Sequence, residues 1–246
     1  MPRVLKSLSV LALIAVILGL VEAQFHLLRG RVSGRALGQR ELATQVLGRY
    51  LAEKYRGKRA IVFSNPFTQR RGQPREVYQF EKAGLQGLRR GWGSAVTLEA
   101  VVFPEIRPEF LSNPATVYID PATTTPVSYV TTERAWNTIC QQHPGADILV
   151  SLIGLPVNLE QTEAWRREGS PAFALLLPDL RMVGDRAMIR QAVMTRKIAA
   201  MILHKPGAPP EDQPLGRDLK MEFDQRFLLV TAETVDQYLK VFPKLF

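Results

Sequence analysis

The sequence predicts an α/β protein: a mostly parallel sheet of five or six strands with helices on both faces, a Rossmann-like three-layer arrangement behind an N-terminal hydrophobic segment. Two observations lead there. Runs such as Arg59 to Ser64 and Asp147 to Ile153 are apolar without alternation, as strands covered on both faces must be. Between such runs lie segments whose apolar residues recur at helical spacing, and that alternation builds parallel sheets.

Each element has its own signal. Leu42, Val46, Leu47, Tyr50, Leu51 and Tyr55 share a helical face, so Glu41 to Arg56 is an amphipathic helix stopped by Gly57. Arg59 to Ser64 is the first strand. Pro74 suits a first helical position, and Val77, Phe80, Gly84 and Leu88 mark the inner stripe of the helix that follows. Val96 to Phe103 is the second strand and Thr116 to Ile119 a minor one. Thr131 and Thr132 offer caps to a helix that Pro144-Gly145 ends, with Trp136 in the core. Asp147 to Ile153 is the central strand, Leu159 to Arg167 a short helix, and Ala172 to Leu177 another strand. Asp185 caps a helix with Met188, Ile189, Ala192 and Val193 inward. Lys197 to His204 fits a strand or a continued helix, and Lys205 to Asp218, rich in proline, is a loop or flap. Arg226 to Thr231 is the last strand and Val235 to Val241 the closing helix.

The N-terminus gives an address. Arg3 and Lys6 precede an unbroken apolar run from Leu8 to Val21, and Val21-Glu22-Ala23 resembles a cleavage site. The run falls short of the roughly 20 residues a spanning helix uses. It reads as a signal peptide cut near Ala23 or as a retained anchor. Both place the remainder outside the cytoplasmic membrane, in the periplasm or on the membrane's outer face. The expected organisation is therefore 1–23 as signal or anchor, 24–56 as basic connector and amphipathic helix, and 57–246 as a single α/β domain.

Composition narrows the partners. With 32 basic and 23 acidic residues the chain carries a net charge of +9, which suits anionic lipid, wall polymer or acidic proteins. Export and the lack of an aromatic-studded basic strand argue against nucleic acid. Cys140 is the only cysteine, so an internal disulfide is excluded and core burial must hold the fold. It falls on the same helical face as Trp136, which marks it as packing rather than catalysis.

In an open parallel sheet, ligands bind where strand C-termini meet their loops. That rule selects Ser64, Asn65, Thr68 and Arg70 after the first strand, Glu105 after the second and Asp179 after the fourth. Hydroxyls, an amide and a guanidinium ahead of a helix suit a small anionic ligand, although turns use the same residue types. Ser64 to Gly72 has neither a GxGxxG nor a GK[ST] pattern, and no G-x-S-x-G elbow occurs. His26, His143 and His204 lack neighbouring ligand-type residues, so neither a metal nor a cofactor is expected.

Buried strands such as Arg59 to Ser64 and Asp147 to Ile153, separated by amphipathic helices behind an export signal, resemble one lobe of the type 1 periplasmic binding proteins. The likeness spans roughly Gly57 to Phe246 and rests on element order rather than on a motif. It implies loops at strand C-termini that grip a small ligand. That family closes two hinged lobes on its ligand, whereas this chain has length for one, so no ligand residue is carried over. The expected function is a non-enzymatic binding or accessory domain, membrane-attached through residues 1–23 if uncleaved, with a small anionic ligand or a protein complex as partner. The alternative is a hydrolase or transferase using Glu105 and Asp179 as a carboxylate pair.

Overall fold

A computed structural model of the chain describes residues 35–169 and 171–246. The expected signal or anchor of residues 1–23, and most of the expected basic connector, lie outside the described residues. None of the described helices is long and apolar enough to cross a membrane.

The first described helix, α1, covers residues 35–54 and so begins at least six residues before the expected start. Gly57, at φ +76°, makes the turn into the sheet, a conformation glycine adopts without strain. The elements then follow as β1 (Arg59–Phe63), α2 (Arg75–Trp92), β2 (Thr97–Val102), α3 (Pro108–Ser112), α4 (Val127–Val130), α5 (Ala135–Gln142), β3 (Ile148–Ser151), α6 (Glu163–Arg166) and β4 (Ala172–Leu176). After them come α7 (Arg186–Met194), β5 (Ile198–His204), α8 (Leu219–Arg226), β6 (Phe227–Val230) and α9 (Val235–Val241). Asp185 caps α7 by accepting from the Met188 amide at 2.9 Å, as expected.

One sheet of six strands runs in the order β2-β1-β3-β4-β5-β6. The first five are parallel, and β6 pairs antiparallel with β5, His204 opposite Phe227 and Met201 opposite Val230. Connections move outward from β1 to β2, then return past β1 to β3, so the direction of winding switches between β1 and β3.

Two apolar layers enclose the sheet. Leu47 and Leu51 of α1, Leu88 and Trp92 of α2 and Phe223 of α8 cover Val62, Val150, Ala174 and Ile202 on one face. On the other, Trp136 of α5, Ile189 and Val193 of α7 and Leu239 of α9 cover Phe63, Leu149, Phe173 and Met201. Trp136 stacks on Phe63 with ring centroids 3.8 Å apart. Cys140 is half-buried there, and burial pushes its thiol up to about 11, a protonated group suited to packing rather than attack.

Helices α1 and α2 cross at backbone distance. A Cβ on Gly48 would sit 2.7 Å from the Leu88 carbonyl, and one on Gly87 would strike the Glu41 carbonyl and the Thr44 hydroxyl. The glycines of α2 therefore serve close approach, and its inner stripe differs from the expected one. Gly84 and Leu88 are buried as expected, but Phe80 is 43% exposed and Glu81 takes the inward position.

Other differences have local causes. Thr116 to Ile119 forms no strand: Thr116 closes a short 3-10 turn begun at Pro114, Pro121 follows the segment, and Tyr118 is left 75% exposed. Met188 points outward over Gly184, where the φ of +120° leaves room only for glycine. Helix α8, unforeseen, runs directly into β6 at Arg226–Phe227.

Candidate functional site

All five parallel strands end at one edge of the sheet, and two regions of that edge are built quite differently. The first is the switch point between β1 and β3, where open α/β sheets ordinarily take their ligands. Ser64, fully buried, donates to Glu81 Oε1 at 2.7 Å, and the Asn65 amide donates to the same oxygen at 3.2 Å. Arg40 of α1 reaches in from above: its Nη2 donates to Glu81 Oε2 at 3.1 Å and to the Leu152 carbonyl at 3.2 Å. Its guanidinium also lies 4.2 Å from the centre of the Phe80 ring. Both charged side chains are under 10% exposed. Burial lowers the Arg40 pKa while Glu81 pulls against it. Arg40 Nε alone has no partner among the described residues, wedged where a Cβ on Gly84 would come within 3.0 Å. The chain's own ion pair thus fills the place a ligand would take.

The rest of the first loop is spent on its own turn. Asn65 Oδ1 accepts from the Phe67 amide at 3.0 Å, and Thr68 Oγ1 donates to the Asn65 carbonyl at 2.7 Å. Arg70 points to solvent, its carbonyl accepting from the Tyr78 hydroxyl at 2.6 Å. Glu105 is exposed beside Thr132.

The second region lies beyond the ends of β4 and β5. Here a cavity of about 410 Å³ is lined by Thr124, Leu177, Asp179, Arg181, His204 and Lys244 among others. Of the six residues selected from sequence, Asp179 lines it and the other five do not. Its floor includes Leu177 at φ +47°, left-handed backbone in a non-glycine residue, and strain of that kind gathers at functional sites. Asp179 is 5% exposed and accepts from Thr123 Oγ1 at 2.8 Å and from Arg181 Nη2 at 2.6 Å. Arg181 extends the pair to Asp120 at 2.7 Å. Burial alone would raise the Asp179 pKa, but the bonds from Arg181 and Thr123 prevail and hold it below the ordinary carboxylate value. Burial likewise lowers His204, against the pull of Glu211, so at neutral pH its imidazole is uncharged. His204 and Lys244 make no side-chain hydrogen bond or ion pair with the described residues, which leaves an imidazole and an ammonium to address a guest.

Residues 205–218 follow β5 as an ordered flap. The Gln39 amide nitrogen donates to the Glu211 carbonyl at 3.0 Å, and Arg226 Nη1 donates to the Pro210 carbonyl at 3.2 Å. Arg226 is in turn fixed by Glu222 at 3.0 Å in a buried pair. Among the described residues no three His, Cys, Asp or Glu side chains are grouped to hold a metal ion.

Sequence reasoning missed Arg40, Glu81, His204 and Lys244. The signal for the first two was present. Glu81 falls on the stripe of Val77, Gly84 and Leu88, and Arg40 on that of Leu47 and Leu51. A charge at an inward position of an amphipathic helix needs a buried partner.

No family model and no curated protein matches the chain. Solved structures do. A glucose-galactose binding protein from Geobacillus stearothermophilus aligns at 12% identity and a TM-score of 0.40, over 82% of this chain and 54% of that one. A periplasmic sugar-binding protein from Pseudomonas fluorescens aligns at 14% and 0.44, over 84% and 58%. An arabinose binding protein from Geobacillus stearothermophilus aligns at 10% and 0.44, over 81% and 63%. This chain therefore spans little more than half the length of these solute-binding proteins, the kind its sequence resembles. With TM-scores below 0.5, the likeness says nothing about what this chain binds.

Proposed function

We propose that this chain is an exported, non-enzymatic binding domain that holds a small anionic ligand beyond the ends of β4 and β5. The observation that carries this reading is the cavity of about 410 Å³ with Lys244 and His204 on its wall. Its remaining lining is mostly apolar, Leu177, Leu180, Ile189 and Leu203 among it, the usual make-up of a small-molecule site in which a few polar groups set orientation. Ser64, Asn65, Thr68 and Arg70 would then act from the neighbouring loop, shaping the edge rather than touching the ligand. The charged start and apolar run of residues 1–23 support export, with the domain tethered at the outer face of the membrane if that segment is kept.

The carboxylate-pair alternative is the poorer fit. A general acid must hold its proton near neutrality, whereas Arg181 keeps Asp179 ionised. Glu105 and Asp179 also share no bonding partner: one stands beside Thr132, the other on Thr123 and Arg181.

Native mass spectrometry of the full chain, extracted gently from its own membranes, tests the proposal. The expected spectrum shows a stoichiometric small-molecule adduct that is lost when His204 and Lys244 are both replaced by alanine. A bare mass for the unaltered protein, or an adduct that survives the double substitution, contradicts it.

A further inference from the structure

A second cavity, larger than the one beyond β4 and β5, lies at the β6 edge of the sheet. It is a groove of about 690 Å³ between α1 and α8 on one side and α9 on the other, floored by Phe227, Leu228 and Leu229. Leu42, Val46, Phe223, Tyr238 and Phe242 continue its apolar wall. At its lips, Leu219 is 45% exposed and Val241 56%. An apolar slot with apolar lips marks an interaction surface rather than a site for a small polar molecule.

Its rim is positively charged. Arg49, Lys205 and Lys220 line the groove against a single acid, Asp224. That acid is already paired to Lys220 at 2.7 Å, while Arg49 has no hydrogen-bond or ion-pair partner among the described residues. A second copy of this chain would bring the same surplus of positive charge to the contact, so the charge points to a different, acidic partner.

The backbone of the edge indicates what form that partner takes. An added strand needs the outward amides and carbonyls of β6. The Leu229 carbonyl already accepts from Thr234 Oγ1 at 2.9 Å, and the Phe227 amide donates back to the Phe223 carbonyl of α8. A helix satisfies its own backbone and asks only for an apolar groove of suitable width.

We infer that the β6 groove receives an amphipathic helix of a partner protein, its apolar face against Leu228, Phe223 and Val241 and its acidic residues on Arg49 and Lys205. The inference is independent of the ligand cavity and stands or falls separately.

Photo-cross-linking tests it in the cells that make the protein. Benzoylphenylalanine is placed in the full chain at position 219 or 241, with position 118, exposed on another part of the molecule, as control. The expected result is one protein joined to both groove positions and not to 118. The joined segment should repeat apolar residues at i, i+3, i+4 and i+7 beside acidic ones. Arg49→Glu, at an exposed unpaired residue, should leave the thermal midpoint unchanged and lower the cross-link yield several-fold. Cross-links to a second copy of the chain, to lipid, or to the same products as position 118 would overturn the inference, as would none.

Discussion

The two regions of the sheet's C-terminal edge start from the same topology and end in opposite states. Between β1 and β3, two helices each send a charged side chain inward, and Arg40, Ser64 and the Asn65 amide all bond to Glu81 where a ligand ordinarily sits. Beyond β4 and β5 the corresponding space is left as a cavity of about 410 Å³, with Asp179 tied down by Arg181 but His204 and Lys244 left to face a guest. The strand order thus says where a site can form. The side chains of the covering helices decide whether it stays open.

The closed region should be the more fragile. Glu81→Ala removes the acceptor of three donors and leaves a guanidinium buried without its counter-ion. We expect a loss of about 3–5 kcal/mol in unfolding free energy by denaturant titration, the usual result of breaking a buried pair. A loss near zero would mean that the switch point is open to water. Gly87→Ala attacks the same region through the backbone, forcing α1 off α2 where no room exists for a methyl group. About 1–3 kcal/mol should go, and a neutral result would show that the helices do not cross as closely as described.

The open region should behave inversely. His204→Ala and Lys244→Ala should each change stability by no more than about 0.5 kcal/mol, as substitutions near the surface usually do, while weakening retention of a bound small molecule. Loss of stability without loss of ligand would reverse the comparison.

The smallest effect is on acid stability. Burial holds His204 below its ordinary 6.5, so the fold favours its neutral form and the unfolded chain binds the proton more readily. Stability is full above 6.5 and declines slightly as pH falls from there toward the folded value, the half-open position of His204 at the end of β5 keeping the decline small. Asp179, held below its ordinary 3.8, adds a second decline only below that pH. His204→Gln should flatten the upper step in pH-dependent melts and leave the lower one. An unchanged upper step would remove His204 from the account.

Much of this architecture was legible in the sequence, and the reasons are specific. Strands β1, β3 and β4 are apolar on both faces because helices cover both, and α9 runs from Val235 to Val241 as expected, with Val235 and Leu239 buried. The direction of β6 was not legible, since Phe227 to Val230 reads the same whichever way it pairs. Helix α8 was hidden because its stripe is thin: only Glu222, Phe223 and Arg226 are buried, two of them as a charged pair. Of the candidate residues, Asp179 was selected from its place after a strand, and it lines the cavity. The closure of the switch point was not, because it depends on Arg40 and Glu81 meeting across 41 positions of sequence.

The most direct measurement compares the two regions by cysteine labelling in a Cys140→Ser background, with Ser64→Cys reporting on the switch point and His204→Cys on the cavity. A maleimide should modify position 204 readily in the folded, ligand-free protein and leave position 64 untouched until denaturant is added. Equal labelling of the two, or faster reaction at position 64, would contradict the account, because the switch point would then be the open site.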